Sequence, residues 1–262
     1  MIEVKNVEKS FGDKKVLQDV SFTMKAGNTN LIIGTSGSGK TVMMKCMIGL
    51  FQPDAGQVLY EGRDIIQMDE KDKKEVRQQI GMLFQGSALF DSKTVIDNVM
   101  FPLDMFTSQS YKEKIRRAKE VLDRVNLKDA DKKFPSEISG GMKKRVALAR
   151  ALVLNPKYLF CDEPNSGLDP QTSMVIDQLI SELTKEYNIT TVINTHDMNT
   201  VMERGDHIVY MHQGKKQWEG SKNDIIFSKD ELLNNFIFAS QFLKDAKAKR
   251  MEEAESNQHD NS

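Results

Sequence analysis

The amino-acid sequence predicts an α/β domain built on a parallel sheet with an inserted helical lobe. Three observations carry this. Short apolar runs of strand length alternate with longer amphipathic stretches of helical period. One such run, residues 29–33, leads straight into Gly34-Thr35-Ser36-Gly37-Ser38-Gly39-Lys40-Thr41 and then a helix-like stretch. Another, residues 158–161, ends in the acidic pair Asp162-Glu163.

Taken in order, Ile2, Val4 and Val7, then Val16, Val20 and Phe22, alternate with polar residues and read as two short strands, broken by a turn at Phe11-Gly12-Asp13. After the glycine-rich loop, residues 42–50 read as a helix. Two strand signals flank Gly56, residues 71–79 are charged and helical, and residues 80–84 form a strand. A mostly helical block follows, about residues 86–155, and forms the inserted lobe. Within it, residues 111–125 place Ile115, Ala118, Val121, Leu122 and Val125 on one face. A second helix spans 142–154 and ends before Pro156. The buried strand 158–161, a helix over 172–186, a strand over 190–194 and a short helix over 198–204 come next. Residues 207–211 and 215–219 close the domain as a hairpin around Gln213-Gly214. The main domain is expected over 1–243. From Lys244 to residue 262 the chain is rich in Lys, Glu, Asp and Asn and reads as a disordered charged tail.

Composition bounds the function classes. The chain has 262 residues, 39% hydrophobic and 29% charged, as an ordinary globule requires. A formal net charge of -1 gives no basic footprint for nucleic acid, so no nucleic-acid partner is expected. Met1-Ile2-Glu3-Val4-Lys5 opens without the apolar stretch of a signal peptide, and no apolar run approaches membrane-spanning length. Any service to a membrane is expected to run through a partner. Cys46 and Cys161, in apolar surroundings, read as buried free thiols of a reducing compartment. The 15 methionines, including Met43, Met44 and Met47, read as core filling.

The loop Gly34–Thr41 fits G-x-x-x-x-G-K-T. Its glycines let the backbone curl so that several N–H groups face phosphate oxygens, and the helix behind adds its positive end. Lys40 is placed to reach the β- and γ-phosphates and the Thr41 hydroxyl to ligate Mg²⁺. Two carboxylates at the end of an apolar strand are expensive to desolvate without partners. Asp162 is expected to hold Mg²⁺ and Glu163 to act as general base on the attacking water.

With these elements in hand, nearly the whole chain resembles the ABC ATPases. Ser139-Gly140-Gly141 before a helix resembles their signature, with Ile138 in place of the usual Leu and Met142 in place of the usual Gln. The resemblance implies a P-loop NTPase nucleotide-binding domain with a RecA-like core, an antiparallel β-subdomain and an inserted helical subdomain. It implies ATP and Mg²⁺ as cofactors. It also implies that Ser139, Gly140 and Gly141 cap the γ-phosphate of an ATP held by a second copy, so the protein works as a homodimer. Gln85 resembles the glutamine that touches Mg²⁺ and water. Ser166-Gly167-Leu168-Asp169 resembles the loop that crosses the dimer interface. His196 resembles the histidine that contacts the γ-phosphate and Glu163, and Phe11 stands at the position that stacks on adenine. Every element for hydrolysis is present, so a competent ATPase is expected.

A narrower resemblance concerns the transport system. Residues 82–92, followed by Thr94-Val95-Ile96-Asp97-Asn98-Val99, are similar to the ATPases of Mla-type phospholipid transporters, as are the Gly-Met of the signature and an extension carrying Phe236, Phe238, Gln241, Phe242 and Leu243. That extension implies subunit pairing through the tail. This resemblance implies integral membrane permease subunits as partners, with MCE-domain and lipid-binding proteins, and a peripheral location on the cytoplasmic face of the inner membrane. Residues 85–102, apolar through Leu89, Phe90, Val95 and Phe101, are the expected wall against the permease, with plain core packing as the alternative. An ATPase of another importer or exporter stays open, as does a non-transport clamp in cell-division or assembly machinery.

Overall fold

The computed structural model describes residues 1–239, 244, 245, 247–249 and 251. Strands β1 (Ile2–Phe11) and β2 (Lys14–Met24) form an antiparallel pair, and β4 (Ala55–Tyr60) and β5 (Arg63–Asp64) extend it in the order β2-β1-β4-β5. The second sheet holds β3 (Thr29–Ile33), β6 (Ile80–Leu83), β7 (Tyr158–Asp162), β8 (Thr190–Thr195), β9 (His207–His212) and β10 (Lys215–Gly220). Its order is β10-β9-β3-β8-β7-β6, parallel except for the terminal hairpin β9-β10. The helices are α1 (Lys40–Met47), α2 (Glu70–Gln78), α3 (Val95–Phe106), α4 (Tyr111–Arg124), α5 (Gly140–Leu152), α6 (Pro170–Glu186), α7 (Met198–Arg204), α8 (Lys222–Phe227) and α9 (Glu231–Ile237).

The parallel sheet is covered on both faces, and strand alternation sorts its side chains into two cores. Leu31, Ile33, Leu159, Cys161 and Ile193 join a core with α3 to α6. Ile32, Tyr158, Phe160 and Val192 point the other way, into a core with α1 and the antiparallel sheet. Met43, Met44 and Met47 fill that second core, and both cysteines are buried and free.

Several elements depart from expectation. In β2 Val20 and Phe22 are buried as expected, but at its start Leu17 is buried and Val16 only half-buried, because the pairing with β1 shifts register and Asp19 adopts a φ of 52°. α1 begins at Lys40 and α5 at Gly140, each two residues earlier than the apolar pattern suggests, since cap residues start helices before the first apolar position. α3 is a regular helix despite Pro102. Val95 is core rather than outer wall, and Phe90 is exposed.

The C-terminal extension also differs. Phe236 stacks on Tyr210 at 5.2 Å between ring centroids, and Phe238 is buried, so both pack inside the chain. Lys244, Asp245, residues 247–249 and Met251 are helical rather than disordered. Lys247 Nζ donates to Asn234 Oδ1 at 2.6 Å and lies 4.8 Å over the Phe238 ring, which ties this segment to α9. Gln241, Phe242, Leu243 and the rest of the expected tail lie outside the described residues.

Candidate active site

Four parallel strands deliver the site residues at their carboxyl ends, where open α/β sheets place ligands. β3 runs into the loop 34–39, β6 into Gln85, β7 into Asp162-Glu163 and β8 into His196. The loop needs glycine for steric reasons. A Cβ on Gly34, which has a φ of 150°, would sit 2.3 Å from the Met211 carbonyl oxygen. Gly214 N–H at the tip of the β9-β10 hairpin donates to Ser38 O at 3.1 Å, bracing the loop from that side.

Lys40 is buried, with Nζ donating to Gly34 O at 2.8 Å and Thr35 O at 3.0 Å. Burial lowers its pKa, and the fields of Glu163 and Asp162 oppose that shift. Thr41 Oγ1 donates to Asp162 Oδ1 at 3.4 Å, and Asn194 Nδ2 donates to the same oxygen at 2.9 Å. Glu163 has a φ of 48°, a left-handed conformation that a carboxylate-bearing residue adopts at some cost. Its N–H donates to Asn194 O at 2.9 Å, its carbonyl accepts from Ser166 N–H at 3.1 Å, and His196 Nδ1 lies 3.0 Å from its Oε1.

These groups surround a cavity of about 1000 Å³. Thr35, Ser36, Gly37, Gly39, Lys40 and Thr41 line it, together with Gln85, Glu163, His196, Lys14, Lys15, Gln213 and Gly214. Asp162 joins through Thr41. Phe11 is outside this lining; its half-exposed ring meets Phe51 edge-on at 5.4 Å and lies under Lys9 Nζ. Ser139, Gly140 and Gly141 are outside it as well. Ser139 caps α5 by accepting from Met142 N–H at 3.3 Å, and Ser139 and Gly140 face solvent. Gly141 is buried because α6 crosses there: an added Cβ would meet Thr172 Cγ2 at 2.5 Å. Ser166, Gly167 and Leu168 line a second cavity of about 350 Å³ that shares Glu163 and His196. Asp169 caps α6, accepting from Thr172 N–H at 3.0 Å and Thr172 Oγ1 at 2.6 Å, bonds that hold its carboxyl below the usual range.

The donor set fits a nucleotide with a hard cation. Ser38 Oγ and Asn194 Oδ1 are buried beside the loop and the acidic pair without a protein partner. Thr41 Oγ1 and Asp162 Oδ1 are two close oxygen donors, the protein share typical of a Mg²⁺ that keeps waters and substrate phosphates as its other ligands. Sequence reasoning missed Asn194, although an amide directly after the apolar pair Val192-Ile193 and two residues before His196 is a visible signal. It also missed Lys144, whose Nζ donates to the Gln85 carbonyl. A lysine set among Val146, Ala147 and Leu148 on one helix was the clue.

A family model described as ABC transporter matches residues 17–166. The chain belongs to the ABC transporter family. This cassette is 39% identical over 236 residues to the "Probable ribonucleotide transport ATP-binding protein mkl" of Mycobacterium leprae, covering 90% of this chain and 68% of that one. It spans 66% of the corresponding proteins of Mycobacterium bovis and Mycobacterium tuberculosis. It is 40% identical over 242 residues to the "Methionine import ATP-binding protein MetN 1" of Oceanobacillus iheyensis, covering 90% and 71%. Among solved structures it resembles MJ0796, a bacterial ABC transporter cassette in dimeric form, with a TM-score of 0.78 and 33% identity over 85% of this chain and 99% of that one. A post-hydrolysis dimer of the same cassette, bound to ADP and Pi, superposes with a TM-score of 0.77 and 33% identity, with the same coverage. The fold is that of an ABC ATPase cassette, and the enzyme is an ATPase. Among the described residues no helix is long and apolar enough to cross a membrane.

Proposed function

We propose that this cassette is the motor of a membrane transporter, working as a homodimer on ATP and Mg²⁺ at the cytoplasmic face of the inner membrane. The observation that carries the proposal is a divided site. The cavity gathers the loop 34–41, Gln85, Glu163 and His196, while Ser139 and Gly140 stand exposed outside it. An exposed helix start with small residues is an anion site in want of an anion, and a second copy's ATP supplies one.

In this reading the loop N–H groups and Lys40 hold the β- and γ-phosphates, and Phe11 takes the adenine. Thr41, Asp162 and Gln85 hold the metal, which neutralises phosphate charge when bound. Glu163 accepts the proton of the attacking water, and His196 keeps the Glu163 carboxylate in place. Ser139, Gly140 and Gly141 cap the partner's γ-phosphate, with Ser166, Gly167, Leu168 and Asp169 at the interface. Gly140 and Leu168 already lie together, since an added Cβ on Gly140 would be 3.5 Å from Leu168 Cδ2.

The permease side is supported by a groove of about 300 Å³ whose lining includes Phe84, Phe90, Phe101 and Phe106. Phe84, Phe90 and Phe106 are exposed, an aromatic cluster that suits a partner helix. Phospholipid is the proposed cargo, with MCE-domain and lipid-binding proteins as further partners, on the strength of residues 82–99 and the Gly-Met of the signature. A second reading, import of a small polar solute, draws on the relatives named for ribonucleotide transport and methionine import. Affinity purification of the tagged chain from detergent-solubilised membranes, with mass spectrometry of proteins and lipids, separates them. A permease with an MCE-domain protein and phospholipid supports the first; a permease with a solute-binding protein and no lipid overturns it.

A further inference from the structure

The signature helix and the Gln85 loop are joined by two cations. Lys144, in the second turn of α5 and 4% exposed, donates its ammonium to the backbone carbonyl of Gln85. Two turns on, Arg150 Nη2 donates to Ser87 O and Nη1 to Ala88 O, each at 2.7 Å. Ser87 and Ala88 have φ values of 62° and 46°. Two consecutive non-glycine residues in the left-handed region are costly, and such a conformation persists only where surrounding groups over-determine it. Here the over-determining groups come largely from one helix, which has the exposed Ser139-Gly140 at its start. On the other side, Gln85 Nε2 donates to Ser166 Oγ at 3.2 Å.

We propose that Lys144 is a positioning residue that clamps the Gln85 loop to the signature helix. Contact of that helix with a second copy's nucleotide is thereby felt at the Gln85 of the same chain. Arg150 is the second point of the clamp. The ammonium can be replaced without emptying the site, because a methionine retains the length and apolar bulk of the lysine stem.

The coupling to a second copy rests on the divided-site reading above, but the clamp itself lies within one chain and is tested without nucleotide. Amide hydrogen exchange of the full chain is followed for peptides covering 84–89 and 34–41 in wild type, Lys144→Met and Lys144→Arg. Lys144→Met is expected to speed exchange over 84–89 at least tenfold, with 34–41 within twofold of wild type, and Lys144→Arg to recover most of the protection. In steady-state hydrolysis Lys144→Met is expected to lower kcat at least tenfold with KM within twofold. Arg150→Lys, which keeps charge but loses the paired N–H groups, is expected to loosen 87–89 and serves if Lys144→Met does not fold. Unchanged exchange over 84–89 in both variants overturns the clamp, as does an equal rise over 34–41, which marks general loosening. Failure of the divided-site reading shows separately, as absence of ATP-driven dimers in wild type and Glu163→Gln alike.

Discussion

Glu163 is held in a left-handed conformation by its N–H to Asn194 O and by Ser166 N–H to its carbonyl, with His196 against its carboxylate. A group fixed this firmly is aimed, and removing its basicity without changing its shape isolates its role. Glu163→Gln is expected to reduce hydrolysis on the order of 10²- to 10⁴-fold while leaving nucleotide affinity within a few fold, read by phosphate release and calorimetry. Lys40→Ala is expected to abolish tight binding in the same calorimetric experiment, since Lys40 is the buried cation at the loop. A third residue tests electrostatics behind the site. Asp177 accepts from Asn165 Nδ2 at 2.8 Å and from Thr200 Oγ1 at 2.5 Å, and burial raises its pKa above 3.8 against those two bonds. A carboxyl with a raised folded-state pKa binds its proton more tightly in the native chain. Its contribution to stability is therefore greatest below its unfolded pKa and declines as pH rises through the folded one. The Tm of Asp177→Asn relative to wild type is thus expected to rise between pH 4 and pH 7 in thermal melts. Most of the proposed site was legible at this scale because glycine, lysine and paired carboxylates sit at fixed spacing along the chain. Lys144 and Asn194 were not, because their partners, Gln85 O in the loop after β6 and Asp162 at the end of β7, are distant in sequence and only the fold brings them together.

At the scale of elements, the parallel strands were read correctly because burial on both faces favours short apolar runs, as in residues 31–33 and 158–161. α3 was harder to read. Pro102 lies within it and its apolar residues run through the whole segment, interrupted only by Asp97, Asn98, Pro102 and Asp104, so the 3.6-residue period is blurred. The helix is set instead by a cap and a buried amide. Thr94 accepts from Asp97 N–H, and Asn98 donates to the carbonyls of Phe90, Lys93 and Thr94 at 3.0–3.1 Å while accepting from Phe90 N–H at 2.8 Å. Asn98→Ala leaves these buried groups without partners and is expected to destabilise the fold by about 1–3 kcal/mol, seen as a lower denaturant midpoint with an unchanged m-value. Phe90 is expected to loosen with it, since Asn98 holds both its N–H and its carbonyl. The packing of Phe236 on Tyr210 and the burial of Phe238 were not legible, because an apolar residue in a terminal extension looks the same whether its partner is another chain or its own β9.

At the scale of the whole molecule, the proposed function rests on two surfaces among the described residues, the aromatic groove and the divided nucleotide site. Phe90 and Phe101 line the groove and meet at a tilted angle, 4.8 Å between centroids. Phe90→Glu is expected to leave ATP hydrolysis by the isolated chain within twofold and to abolish recovery of a permease from solubilised membranes. Recovery at the wild-type level removes the groove from the permease account. The central claim is that one chain holds only part of its active site, and it is tested most directly by the mass of Glu163→Gln in light scattering after size exclusion, with and without ATP and Mg²⁺. The expected result is a monomer without nucleotide and a stable dimer of about twice that mass with ATP, lost again when Ser139→Arg blocks the exposed helix start. A mass that stays monomeric with ATP bound contradicts the divided site.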